Sequence, residues 1–328
     1  MHITKTIMPP SISINGHAIS AKNPPYIIAE ISANHNGSLE RFFKLIKTAK
    51  HTGANAVKIQ TYTPDTMTIN IRNDDFLIKD GLWKNRSLYD LYQESFTPFE
   101  WHKPIFEFAE QQHITLFSSP FDETAVDLLE KLGAPAYKIA SFELVDLPLI
   151  SYIAKTKKPM LISTGMANLT EISEAVETAK SAGCKDIALL HCISSYPTSI
   201  DQSNLHAIKY LQKKFDLPIG LSDHTTSSLT SIVATALGAN IIEKHFTLSR
   251  KGGGVDSCFS IEPHEMETLI TDTKKTHAAL GNQHEIRSKS EQANKMFRRS
   301  LYFVKDLKRG ELITTNHIKK IRPGFGLS

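Results

Sequence analysis

Eight short runs rich in apolar and β-branched residues recur along the chain, at 26–31, 54–60, 114–118, 136–140, 160–163, 187–191, 219–222 and 241–245. Longer stretches with helical periodicity separate them, and their boundaries carry the expected chemistry. Ser38 precedes the amphipathic series Leu39, Phe42, Phe43, Ile46, Ala49, which stops near Gly53. Thr97-Pro98-Phe99-Glu100 reads as a capping box with proline at the first helical position, and Asn168 with Glu171 reads as another, in a helix closed by Gly183. Ahead of the first run, two alternating segments flank Asn15-Gly16, which predicts a leading β-hairpin. Eight β/α units in series predict an α/β fold, a parallel (β/α)8 barrel of the TIM type, with right-handed crossovers. The alternative, an open doubly wound sheet, would carry a glycine-rich turn after its first strand. Here that turn, 32–37, holds one glycine.

One connection breaks the rhythm. Residues 61–95 separate the second strand from its helix, far beyond the usual loop length, and carry Trp83, Arg86, Tyr89 and Tyr92. This segment is read as a lid over the C-terminal mouth of the barrel; the alternative is a surface insertion packed on itself. The organisation expected is a hairpin at 1–25, a barrel at 26–281, a polar linker at 282–298 and a piece at 299–328 too short to fold alone.

The balance of 38 Lys+Arg against 34 Asp+Glu leaves a formal charge of +4, too small at 328 residues to imply nucleic acid or an anionic membrane as partner. Any anion must therefore be bound locally. The three cysteines, Cys184, Cys192 and Cys258, form no CxxC pair, which argues against a disulfide framework or a thiolate zinc site and points to a reducing compartment. With no long apolar run and no signal-peptide pattern near Pro9-Pro10, the expected location is the cytoplasm.

In a barrel, reacting groups project from the C-terminal ends of the strands. Those ends carry Glu30; Lys58 and Gln60; Ser119; Lys138, Ser141 and Glu143; Ser163; His191; Ser222 and His224; and Glu243 with His245. Lys58 and Gln60 share a face, because side chains alternate with period two. A lysine inside a barrel requires an anion, and with Lys138 and the hydroxyls of Ser119, Ser141, Ser163 and Ser222 it suits a small ligand bearing phosphate and carboxylate. Lys58 could instead be paired with Glu30, and each serine could be bonded to local backbone. His224 and His245 end neighbouring strands and could share one divalent cation with open positions for water and substrate oxygen; each alone could equally be structural or a general base.

These residues lie in motifs that span nearly the whole chain: IIAEISANHNGS (27–38), GANAVKIQTYTPD (53–65), FSSPFD (117–122), AYKIASFEL (136–144), ISTGMA (162–167), HCISSYPT (191–198), GLSDHT (220–225) and EKHF (243–246). Together they resemble the sialic acid synthase family (N-acetylneuraminate synthase-like), transferases that condense phosphoenolpyruvate with an amino-sugar aldehyde into a nine-carbon keto acid. Within the family, TYTPDTMT (61–68), the segment 76–102 and RPGFGL (322–327) look most like the pseudaminic acid synthase branch. The resemblance implies condensation of phosphoenolpyruvate with a diacetamido-trideoxy-L-altrose for surface glycan or flagellin glycosylation. Neuraminate or legionaminate synthesis is the near alternative, and noncatalytic sugar binding the distant one.

The resemblance also implies roles. Glu30 matches the catalytic carboxylate; Lys58, Gln60, Ser119, Lys138, Ser141, Ser163 and Ser222 match the phosphoenolpyruvate pocket; His224 and His245 match ligands of manganese or magnesium; Glu143, Tyr196 and Asp256 match sugar-side positions. Residues 299–328 resemble the first part of the family's antifreeze-like (SAF) module, and the match breaks off just past Arg322-Pro323, so a truncated module is expected. In the family that module reaches over the partner's barrel in a domain-swapped homodimer, where Arg322 would meet the sugar's N-acetyl group. A smaller departure is Ile193, where the family often has threonine.

Overall fold

Eight parallel strands close on themselves in the computed structural model, which describes residues 9–281 and 287–327. After the hairpin β1 (Ser11–Ile14) and β2 (His17–Ser20) come the barrel strands β3 (Tyr26–Glu30), β4 (Ala56–Thr61), β5 (Thr115–Pro120), β6 (Tyr137–Ile139), β7 (Met160–Ser163), β8 (Ile187–Cys192), β9 (Ile219–Asp223) and β10 (Ile241–His245). They are hydrogen-bonded in sequence order, and β10 pairs with β3 to close the ring, setting His245 beside Glu30. All eight expected strands are present, with ends shifted by no more than two residues. The open-sheet alternative is excluded by the β10–β3 ladder.

Helices between the strands form the outer layer. The first, Leu39–Thr52, begins with the Ser38 hydroxyl accepting the amide of Arg41 and ends at Gly53, whose φ of 90° is left-handed. It buries Phe42, Leu45, Ile46 and Ala49 against the barrel, and each large side chain contributes about 1.5–3 kcal/mol of transfer free energy. The Asn168–Glu171 capping box forms on both sides. The one expected at Thr97 does not: Pro98 is the cap, in extended backbone with ψ of 137°, and no side chain caps the helix Phe99–Gln111. The Pro98 carbonyl is taken by the amide of Trp101 and by Nδ1 of His102.

Two apolar layers follow from strand alternation. Outward-facing residues such as Ile27, Val57, Leu116 and Ile162 pack under the helices. Inward-facing residues Tyr26, Ile28, Ala56, Phe117, Ala136, Leu161, Ala188, Leu190 and Ile241 fill the lower half of the barrel, and Ile12, Ile14 and Ile19 of the hairpin plug its floor. Gly220 belongs to this interior because nothing larger fits: a Cβ there would lie 2.5 Å from Leu190 and 2.6 Å from the Ile241 carbonyl. One step higher on the same faces, the residues become polar.

The chain divides into two compact units, Met1–Ala279 and Leu280–Ser328. In the second, β11 (Ser300–Phe303) pairs antiparallel with β12 (Ile318–Ile321), and the Ser300 hydroxyl bridges the Pro323 carbonyl and the Gly326 amide. Of the expected linker 282–298, residues 282–286 lie outside the described residues; 289–291 and 293–297 form short 3-10 turns. Residues 1–8 of the expected hairpin segment also lie outside them.

Two histidines behind the site hold their uncharged forms. His102 Nδ1 donates to the Pro98 carbonyl while Nε2 faces the Thr61 hydroxyl at 2.8 Å; His35 Nδ1 accepts the Gly37 amide and Nε2 faces the Ser95 carbonyl. Burial pushes both imidazoles down to about 4. Their unfolded-state value is higher, so between about pH 6.5 and 4 the unfolded chain binds protons that the folded chain does not. Stability should therefore fall with pH through that window, by up to about 3 kcal/mol per histidine. Urea midpoints at pH 7 and pH 4.5 check this, and His102→Gln should flatten part of the slope.

Candidate active site

The polar upper half of the barrel is built by the same alternation as its apolar floor. Ile28 is followed by Glu30, Ala56 by Lys58 and Gln60, Phe117 by Ser119, Ala136 by Lys138, Leu161 by Ser163, Gly220 by Ser222 and His224, and Ile241 by Glu243 and His245. Closure brings these together. Lys58 Nζ lies 3.0 Å from Glu30 Oε2, 3.3 Å from Glu243 Oε1 and 3.3 Å from the Ser119 hydroxyl, and it is buried. Gln60 donates to Glu30 Oε1 at 3.2 Å, and Ser222 donates to Glu243 Oε1 at 3.2 Å. Lys138 Nζ donates to the Ser163 hydroxyl at 2.6 Å and to the Ile139 carbonyl. The Ser141 hydroxyl accepts the Gly165 amide, in the turn after β7, at 3.2 Å.

The pairing of Lys58 with Glu30 is the alternative the sequence left open, and it includes a second acid that the sequence reading gave no role. Burial, and then Glu243, raise the Glu30 carboxyl to about 7 against the pull of Lys58. Burial also opposes the charge of Glu243, but Lys58 and Lys138 outweigh it and hold that carboxyl below its ordinary range. Two lysines thus face one firmly ionised acid and one that titrates near neutrality. Burial depresses Lys138, for which an arriving anion would be a compensating partner.

Above this layer lies a cavity of about 430 Å³. Gln60, Glu143, Tyr196, His245 and Asp256 line it, and so do Tyr62, Trp83, Leu91, Tyr92, Phe142 and Phe259. The long connection after β4 folds into the helices Pro64–Met67 and Leu88–Ser95 and forms one wall, with Trp83 Nε1 donating to the Val255 carbonyl across the mouth at 3.1 Å. The lid expectation agrees with this placement. Glu143 is raised to about 7 by burial, and its Oε2 has no partner.

The histidines face each other under Tyr196. Their ring centroids are 5.5 Å apart, and the Tyr196 ring sits 4.3 Å from that of His224. His224 Nδ1 donates to the Ile193 carbonyl at 2.9 Å, which in the neutral ring leaves Nε2 with its lone pair; burial opposes its charge, but Cys192 and this carbonyl outweigh burial and raise the imidazole above its ordinary range. Because Ile193 contributes only its carbonyl, its departure from threonine leaves this bond intact. His245 Nδ1 is buried without a hydrogen bond, with Asp256 Oδ2 at 3.9 Å, and burial followed by His224 pushes its imidazole well below the ordinary range. An imidazole held neutral by burial and orphaned at Nδ1, facing a second one that a cation would deprotonate on binding, fits a divalent cation with open positions; among the described residues, no group of three or more His, Cys, Asp or Glu forms a closed site.

Arg322 is the one expected site residue outside the first unit; it is exposed, just after β12. His191, also at a strand end, is buried and bonded to the Ser203 carbonyl, a structural role. Cys192 escaped the reading although it follows Leu190 on an inward face; its thiol lies 3.8 Å from His224 Nδ1.

Replacing Lys58 by methionine should expose the acid pair's cost. Both carboxyls lose a cation: Glu30, already above its unfolded value, rises further, Glu243 loses part of the pull that holds it below its own, and stability is lost as pH rises through the shifted values. The urea-midpoint deficit of Lys58→Met should be larger at pH 8 than at pH 5; a pH-independent deficit would contradict the electrostatic account.

Comparison with known proteins agrees with this geometry. The profile of the NeuB family matches residues 45–285. The chain is 45% identical over 302 residues to the pseudaminic acid synthase of Campylobacter jejuni, covering 92% of this chain and 88% of that one, and 44% identical over 305 residues to the Helicobacter pylori pseudaminic acid synthase, covering 93% and 90%. The crystal structure of N-acetylneuraminic acid synthetase from Leptospira borgpetersenii in complex with citrate superposes with a TM-score of 0.80 at 31% identity, over 88% of this chain and 95% of that one.

Proposed function

The chain belongs to the NeuB family, and from that premise we propose that it condenses phosphoenolpyruvate with a diacetamido-trideoxy-L-altrose to give pseudaminic acid and phosphate. The observation that carries this is the buried pair Lys58 and Lys138, converging with serine hydroxyls beneath a lidded cavity. Identity of 45% with pseudaminic acid synthase, against 31% with the neuraminate synthetase, supports this branch over neuraminate synthesis.

In this reading Lys58, Gln60, Lys138 and the hydroxyls of Ser119, Ser141, Ser163 and Ser222 would hold the phosphate and carboxylate of phosphoenolpyruvate in register. A divalent cation, manganese or magnesium, held by His224 and His245 would supply Lewis-acid polarisation of the aldehyde oxygen. The phosphoenolpyruvate methylene carbon bonds to the aldehyde carbon, and the adjoining carbon becomes cationic. Water adds there, Glu30 takes its proton, and the tetrahedral intermediate expels phosphate with cleavage of the C–O bond. A carboxyl poised near 7 suits that exchange. Glu143, Tyr196 and Asp256 would contact the sugar, and the lid would keep bulk water from the cationic carbon.

Residues 299–328 are read as an antifreeze-like segment. In a domain-swapped homodimer, it would carry Arg322 of the partner subunit to the sugar's acetamido group. Synthesis in the cytoplasm, ahead of surface glycan or flagellin glycosylation, fits a chain whose described residues include no helix long and apolar enough to cross a membrane.

Phosphate release should require manganese or magnesium and should favour the altrose-type substrate over N-acetylmannosamine. Oxygen-18 in the bridging position of phosphoenolpyruvate should appear in phosphate; its retention in the keto acid would sink the scheme. Glu30→Gln should lower kcat by at least 10²-fold with little change in phosphoenolpyruvate binding, on the usual scale of a lost general base. Borohydride trapping with pyruvate, the mark of a lysine Schiff base, should yield nothing.

A further inference from the structure

Behind the two histidines, on the opposite faces of the same strand ends, lies a second charged pair that the proposed reaction does not use. Asp223 precedes His224 and Lys244 precedes His245, so alternation turns both outward while the imidazoles turn in. The two are register partners between β9 and β10, their charges are 3.0 Å apart, and both side chains are buried. Asp223 accepts the Thr225 amide and the hydroxyls of Thr230 and Ser231 at 2.6–2.9 Å. Lys244 Nζ donates to the carbonyls of Thr225 and Ser227 and reaches the Thr225 hydroxyl at 3.2 Å.

An isolated buried ion pair seldom adds stability over an apolar pair of the same shape, so its retention points to a geometric task. Here the partners supply one. Among the described residues, every side-chain hydrogen bond made by Lys244 Nζ beyond its pair with Asp223 goes to Thr225 or Ser227, in the turn that leaves His224, while Lys244 itself is covalently next to His245. The pair therefore stitches the turn that carries one imidazole to the strand that carries the other. We propose that Asp223 and Lys244 are positioning residues that set the separation of His224 and His245 and thereby the affinity for the divalent cation. The proposal rests on the metal reading above.

The test is manganese titration by calorimetry, paired with phosphoenolpyruvate binding in metal-free buffer, on the full chain. Lys244→Met and Asp223→Asn should each weaken manganese binding by about 10–100-fold, as loss of groups behind metal ligands does, while phosphoenolpyruvate affinity stays within about twofold. The electron paramagnetic resonance spectrum of bound manganese should change in both. Folded variants with wild-type manganese affinity, or with manganese and phosphoenolpyruvate affinity lost in equal measure, overturn the proposal, and so does failure of both variants to fold, which would make the pair structural. His224→Ala separates the two readings: if the wild type and this variant bind manganese alike, the metal assignment itself is wrong.

Discussion

Inside a closed barrel every second residue of a strand has nowhere to point but the axis, and the rest of this molecule follows from how that axis is filled. Along β3, β4 and β10 the inward positions run from apolar at the floor to charged at the mouth within two residues. The isoleucines of the hairpin close the floor, so the charged layer has dry packing beneath it and a cavity above. Lys58 is buried there between two carboxylates, whose mutual repulsion is relieved by Lys58, by Lys138 and by a Glu30 carboxyl raised to about 7.

The outward positions of the same strands hold a separate polar system. Asp223 and Lys244 satisfy each other and the turn after β9, whereas inward groups such as Glu243 Oε2, Glu143 Oε2 and His245 Nδ1 are left without hydrogen bonds. In a protein where buried polar atoms normally find partners, satisfaction on one face and orphans on the other mark which face is structural and which awaits a ligand.

Much of this was legible in the sequence because period two is exact. Once eight strands are placed, Lys58 and Gln60, or Glu243 and His245, must share a face, and the strand ends must converge. What was not legible depended on distance between elements. Nothing local to Glu243 says that it will meet Lys58 from the far side of the first strand, nor that Cys192 will approach His224. The capping box at Thr97 failed for a similar reason: Pro98 stays extended and its carbonyl is shared with His102, a contact made in three dimensions. His191 shows the converse, a residue of suggestive type at a strand end whose ring is taken up by the Ser203 carbonyl rather than by the cavity.

The layering has a kinetic corollary. Lys58 and Glu243 sit two residues below Gln60 and His245 on the same faces, and it is the upper pair that lines the cavity. A ligand seated on the lysines must pass through the space that the sugar would occupy. On the proposed reading, loading is therefore sequential: phosphoenolpyruvate first, sugar second, and a sugar that arrives early is an inhibitor of its own conversion.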